Sequence, residues 1–235
     1  MSGFYQKLAQ RTAAGREALM QTSLVQEALG GQLTSERYVA FLVQAYHHVR
    51  HTVPLLMAAG SRLGPEQEWL REALAEYVEE ELGHQEWVLN DIAACGYDAE
   101  RVRNCRPNFA TEMMVAYAYH VIDRGNPVGF FGMVHVLEGT SVSVASRAAD
   151  AIQANTGLPN RAFSYLRSHG ALDVGHVDFF AGLMNRLDRE ADRTAVTHCA
   201  GAFYRLYAGV FESVEASQAA AFLPCEEELQ HVHVG

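Results

Sequence analysis

One short segment carries three side chains able to grip a metal. In Ser168-His169-Gly170-Ala171-Leu172-Asp173-Val174-Gly175-His176, offsets of four and three stack His169, Asp173 and His176 along one face of a helix with 3.6 residues per turn. Two imidazoles and a carboxylate suit iron, manganese or zinc better than calcium or magnesium, which favour all-oxygen shells. The same stripe also reads as a solvated polar face or a hydrogen-bonded triad, so further donors have to decide its meaning.

Other segments offer such donors. Glu81 and His84 close the run Glu79-Glu80-Glu81-Leu82-Gly83-His84 at the E-x2-H spacing by which di-iron carboxylate bundles aim two ligands at one centre. Glu79 and Glu80 read as surface residues. Glu138 sits inside the apolar stretch Phe130–Thr140, where a buried carboxylate is costly without a strong partner and a metal would serve; the competing reading is a surface glutamate. His135, one turn earlier, reads as a core histidine or as a group facing substrate or metal. His47 and His51 share a face by the i, i+4 rule and read as extra ligands or as the wall of a substrate channel. Arg50 or Arg147 could hold an anionic end of a substrate, and Tyr165, Phe130 and Phe131 could exclude water. Glu81, His84, Glu138, His169, Asp173 and His176 together make three carboxylates and three imidazoles, a set that fits two iron ions with open positions for dioxygen.

These residues need long helices to position them, and the chain supplies the pattern. Few prolines, long 3.6-period segments and no alternating β-branched runs predict an all-α bundle of seven helices. The first covers 4–29. The second starts at the capping box Thr34-Ser35-Glu36-Arg37 and runs to 59, with a kink at Pro54. The third covers 65–96 and the fourth 109–124. Gly125-Asn126-Pro127 precedes a fifth that carries Glu138 to 155. The sixth holds the metal stripe and ends near 187, and the seventh spans 190–220. One domain over 1–225 with a tail at 226–235 is expected.

Composition narrows the function. A net charge of -10 without any Lys/Arg-rich run disfavours nucleic acid or an anionic membrane as partner. No uninterrupted apolar run of membrane-spanning length and no secretory signal is evident, so a cytoplasmic location is expected. Cys95, Cys105, Cys199 and Cys225 are widely spaced and are expected to be reduced.

The ordered motifs Glu81-Leu82-Gly83-His84, Val136-Leu137-Glu138-Gly139 and His169-x3-Asp173-x2-His176 resemble the heme-oxygenase-like di-iron oxidase family of iron-containing redox enzymes. That family shares a superfamily with thiaminase II and pyrroloquinoline-quinone synthase. The resemblance extends over nearly the whole chain, including Phe41-Leu42-Val43-Gln44-Ala45-Tyr46, which looks like the corresponding helix of thiaminase II-type proteins. It implies a seven-helix heme-oxygenase-like fold, two iron ions (or iron and manganese) held by Glu81, His84, Glu138, His169, Asp173 and His176, and dioxygen as co-substrate. The implied reaction oxidises a small acid or amino-acid-like molecule, with an electron donor as partner. Some members add a carboxylate from the second helix. This chain has no acidic residue over 39–63, so the resemblance implies that this ligand is absent or replaced by a histidine such as His47 or His51.

Three relatives fit less well. Haem degradation needs an N-terminal histidine, and the first here is His47. A thiaminase II reading expects an acidic residue where Ala45 stands and a cysteine in the fifth helix. A metal-free pyrroloquinoline-quinone synthase has no use for Glu81, His84 and His169 together. A non-enzymatic metal-binding or interaction protein on the same fold is the alternative from another class. A homodimer is the expected assembly.

Overall fold

A computed structural model describes residues 3–224, except for the side chains of 169–176. The described chain is all-α, and the helices are more finely divided than their periodicity predicts. The first segment splits into α1 (Phe4–Met20) and α2 (Ser23–Leu29). At the break Thr22 donates its hydroxyl to Leu19 O at 2.8 Å, a local bond that competes with the helical ladder. The second splits into α3 (Ser35–Val49) and α4 (Thr52–Arg62), with Thr34 accepting the Arg37 N–H at the start of α3. Pro54 explains that split. It has no N–H and clashes with a helical carbonyl four residues earlier, so the chain breaks at Arg50–His51 and places the proline in the first turn of a new helix.

The third segment begins with a short 3-10 turn, Pro65–Gln67, and divides into α5 (Glu68–Glu81) and α6 (His84–Ala94). Gly83 between them has φ +91°, a conformation that glycine adopts without Cβ strain. A short helix, α7 (Ala99–Asn104), lies between the third and fourth predicted helices; Asp98 caps it by accepting the Arg101 N–H at 3.0 Å. The fourth segment, α8 (Phe109–Arg124), matches its predicted limits. After a 3-10 turn at Pro127–Phe130 come α9 (Phe131–Thr156), a second turn at Asn160–Phe163, α10 (Ser164–Arg186) and α11 (Glu190–Glu212). The last helix ends earlier than 220 and gives way to a 3-10 stretch, Ala216–Phe222. The tail at 226–235 and Cys225 lie outside the described residues; Cys95, Cys105 and Cys199 are free thiols.

The bundle is built around α9, which packs on α2, α10 and α11. At Gly132 a Cβ would sit 2.5 Å from Ala200 N and 2.8 Å from Val196 O, so α9 and α11 approach backbone to backbone. Pro127–Thr156 is long and apolar enough by composition to cross a membrane, and 61% of its most apolar window is buried inside the bundle. Its hydrophobicity thus faces neighbouring helices, and His135 and Glu138 interrupt it, so it is not an unbroken apolar run. Tyr38 of α3 is fully buried, stacks on Phe163 at 5.1 Å and donates its hydroxyl to Ala162 O at 2.8 Å, fixing the chain just before α10.

Candidate metal centre

Glu81 closes α5 and His84 opens α6, so the E-x2-H pair spans a helix break instead of riding one continuous face. The left-handed Gly83 turns the chain back, and His84 Nδ1 comes within 2.9 Å of Glu81 Oε2. Both side chains are nearly buried, at 5% and 11% exposed. The His84 ring stacks on Trp87. This places His84 where it orients the Glu81 carboxylate through Nδ1, leaving Nε2 as its other nitrogen.

Glu81 and Glu138 come together. They line one chamber of about 730 Å3, counted out to its mouth, with Tyr77 of α5, His48 of α3, Leu55 and Leu56 of α4, and Phe130 and Met133. Tyr165 forms another part of its wall. Among the described residues the lining holds no lysine or arginine. The charge of Glu138 is felt beyond the chamber: burial first, then Glu138, then Asp178, raise the Tyr5 phenol above its usual range.

The expected histidines, His47 of α3 and His51 just before α4, fall elsewhere. His47 and His51 line a separate recess with Arg50, Cys105 and Arg106. There His47 Nε2 lies 3.2 Å from Cys105 Sγ, and His51 Nδ1 lies 3.3 Å from Tyr119 Oη. Burial, then Arg50, then His51 push His47 down to about 4. The i, i+4 rule links 47 to 51 correctly; the face that meets the chamber is the next one round the helix, about 100° away, and carries His48. His48 is 1% exposed and meets Tyr207 edge-on at 5.7 Å. Arg50 lies over the Tyr46 ring at 5.6 Å, away from the chamber lining, and exposed Arg147 donates to Ser143 O within its own helix.

His135 also lies off the chamber. It borders a recess between α1 and α9 with Tyr5, Arg16 and Tyr204. Thr12 Oγ1 donates to Leu8 O at 2.9 Å and is left to accept from His135 Nε2 at 3.4 Å, which fits a neutral ring protonated at that nitrogen. Burial, then Arg16, push His135 down to about 4. Phe131 is buried in the core beside Phe180, whereas Phe130 faces the chamber.

Positions 169, 173 and 176 fall inside α10, and the side chains of His169, Asp173 and His176 lie outside the described residues. What fixes α10 is visible at its start. Asp91, fully buried on α6, accepts the backbone N–H of Ser164 at 3.0 Å and of Tyr165 at 2.9 Å, and also the Ser164 hydroxyl. A carboxylate 73 residues away in sequence thereby satisfies the orphan donors of the first turn of α10. Arg167 adds a tie to α9 through Gln153 and Asp150, both at 2.8 Å. Gln44 does the same service for α8, accepting from Asn108 N at 2.9 Å and Thr111 Oγ1 at 2.8 Å. No local signal marks Asp91 or Gln44, because both act on helices distant in sequence.

The family model described as "Iron-containing redox enzyme" matches residues 39–208, most of the chain and every residue that lines the chamber. The chain belongs to this family. No curated protein sequence matches. Among solved structures, a domain of unknown function with a heme oxygenase-like fold from Shewanella denitrificans OS217 is 22% identical, with 98% of this chain and 95% of that one covered and a TM-score of 0.78. A TenA homologue from P. horikoshii OT3 is 11% identical, covering 93% and 100%, with a TM-score of 0.76. The heme oxygenase of Leptospira interrogans is 13% identical, covering 90% and 99%, with a TM-score of 0.71. The fold is therefore heme-oxygenase-like.

In this iron-containing redox enzyme family member, the donor chemistry around the chamber suits a first-row metal: two carboxylates on the chamber wall, one tied to an imidazole, and a second imidazole at His48. Among the described residues no group of three His, Cys, Asp or Glu side chains gathers closely enough to hold a metal.

Proposed function

We propose that the protein is a non-haem di-iron oxidase or oxygenase that uses dioxygen to oxidise a small organic acid or amino-acid-like molecule, drawing electrons from an external donor. The observation that carries this reading is that Glu81 and Glu138, from the end of α5 and the first third of α9, open on one chamber. Glu81, His84, Glu138, His169, Asp173 and His176 would hold the iron. Bound iron supplies the reduction of dioxygen, chemistry that protein side chains lack.

The chain's own residues do the rest. His84 holds Glu81 in one orientation through the 2.9 Å contact, the way a partner hydrogen bond fixes a metal-binding carboxylate. Leu55, Leu56, Phe130 and Met133 keep the chamber apolar around its carboxylates, which excludes water from a reactive centre. Burial raises the Tyr207 phenol, so at neutral pH its hydroxyl stays protonated on the chamber wall.

Combining Glu138→Ala with His176→Ala tests the ligand assignment. The double variant is expected to lose iron binding while keeping its helical circular dichroism. Stoichiometric iron retained by that protein would show that other residues hold the metal.

A further inference from the structure

The recess that holds His47 and His51 lies across α3 from the chamber and, among the described residues, borders none of the proposed iron ligands. It measures about 800 Å3, counted out to its mouth, and is walled by the end of α3, residues 105–107 and the first two turns of α8. Arg50 and Arg106 both border it, brought there from separate segments of the chain, and Glu112 is the one carboxylate among its described lining residues. Neither guanidinium has an ion pair or a hydrogen bond among the described residues; Arg50 only lies over the Tyr46 ring at 5.6 Å. Thr111 contributes no free donor, because its hydroxyl goes to Gln44 at 2.8 Å. His51 meets Tyr119 through Nδ1 and keeps Nε2 as its second nitrogen.

No side chain caps the first turn of α8, where Thr111 and Glu112 sit, so its amide dipoles add positive potential. Two guanidiniums and about half a charge from the helix end outweigh one carboxylate. The recess is therefore positive in a chain of net charge -10. The histidines register that field: after burial, Arg50 is the next cause lowering both His47 and His51. Guanidinium groups match carboxylate and phosphate oxygens by paired N–H donors, and these two have no such partner within the protein.

We propose that this recess is a second ligand site, separate from the carboxylate chamber, and that it takes a small dianionic oxyanion, a dicarboxylate or a phosphate ester. Arg50 and Arg106 hold its charged oxygens, and His51 supplies a neutral donor beside them. Occupation of the recess does not rest on the di-iron reading, so metal-free protein suffices to test it.

The test is calorimetric titration of the metal-free protein with succinate, with inorganic phosphate and with uncharged succinamide, at matched ionic strength. Saturable millimolar or tighter binding of at least one anion is expected, and none of succinamide; which anion binds better separates a carboxylate site from a phosphate site. Arg50→Gln and Arg106→Gln should each weaken that binding by about tenfold or more, and Glu112→Gln should strengthen it. Both arginines are exposed and free of structural bonds, so the variants should keep their circular dichroism. Arg161→Gln makes the same charge change off the recess lining and should leave the affinity unaltered. Cys105, which lines the recess, reports location: the bound anion should slow its alkylation by neutral iodoacetamide, read peptide by peptide, while Cys95 is unaffected. Absence of saturable binding by either anion overturns the proposal, as does binding unchanged in both recess variants. Binding that leaves the alkylation of Cys105 unprotected places the anion elsewhere and overturns it too.

Discussion

Asp91 on α6 accepts the Tyr165 backbone N–H at 2.9 Å, so the start of the helix that carries the metal stripe is held by a carboxylate from another part of the chain. Removing it leaves buried donors without an acceptor. Asp91→Ala is expected to cost about 2–3 kcal/mol in urea unfolding, and Asp91→Asn, which keeps a carbonyl acceptor, distinctly less. Midpoints of both variants equal to that of the parent would show that the cap contributes nothing.

Acid should weaken the fold through its buried histidines. Burial first, then a neighbouring arginine, lower His47 and His135 to about 4 from the ordinary 6.5. Between those values the unfolded chain binds protons that the folded chain refuses, so stability is lost as the pH falls through that window. For His135, at 8% exposure, the full span is worth about 3 kcal/mol at its acid end. The urea midpoint is expected to drop on acidification, and to drop less in His135→Gln. An identical pH slope in that variant would contradict the assignment.

Asp91 titrates with the opposite sign of slope. Burial raises its pKa against the lowering by Ser164 and Tyr165, so the folded state holds its proton more firmly than the unfolded one. Stability contributed by the protonated form is lost as the pH rises through the range just above an ordinary carboxylate. Comparing Asp91→Asn with the parent across that range should show a flatter profile in the variant; a steeper one would be inconsistent with a raised pKa.

Gly83 separates the metal role of its turn from its stability role. Gly83 and Gly96 have φ of +91° and +86°, and neither has an atom within 4 Å of a built Cβ, so alanine at either strains only the backbone. Each substitution is expected to cost about 1–2 kcal/mol. Only Gly83→Ala, which re-aims Glu81 against His84, should also weaken iron binding. Matching iron affinities in the two variants would remove the turn from the site.

The helical class is legible in the sequence because α8 and α10 carry an uninterrupted 3.6-residue pattern between strong breakers. The divisions of the other segments depend on single residues: Pro54 forces a new helix instead of a kink, and Gly83 puts Glu81 and His84 on different helices at the spacing that suggests one. Sequence spacing relates His47 to His51 but cannot say which face of α3 meets α9, and packing turns His48 toward the chamber. Asp91 and Gln44 were invisible for a related reason. Their partners are close only after the chain has folded.

The central claim is that Glu81 and Glu138 belong to an iron centre that activates dioxygen. Its most direct measurement is the iron content of protein loaded anaerobically with ferrous ion, followed by dioxygen uptake in the same sample. About two irons per chain and stoichiometric uptake are expected. A protein that stays metal-free, or that binds iron and leaves dioxygen unconsumed, would contradict it.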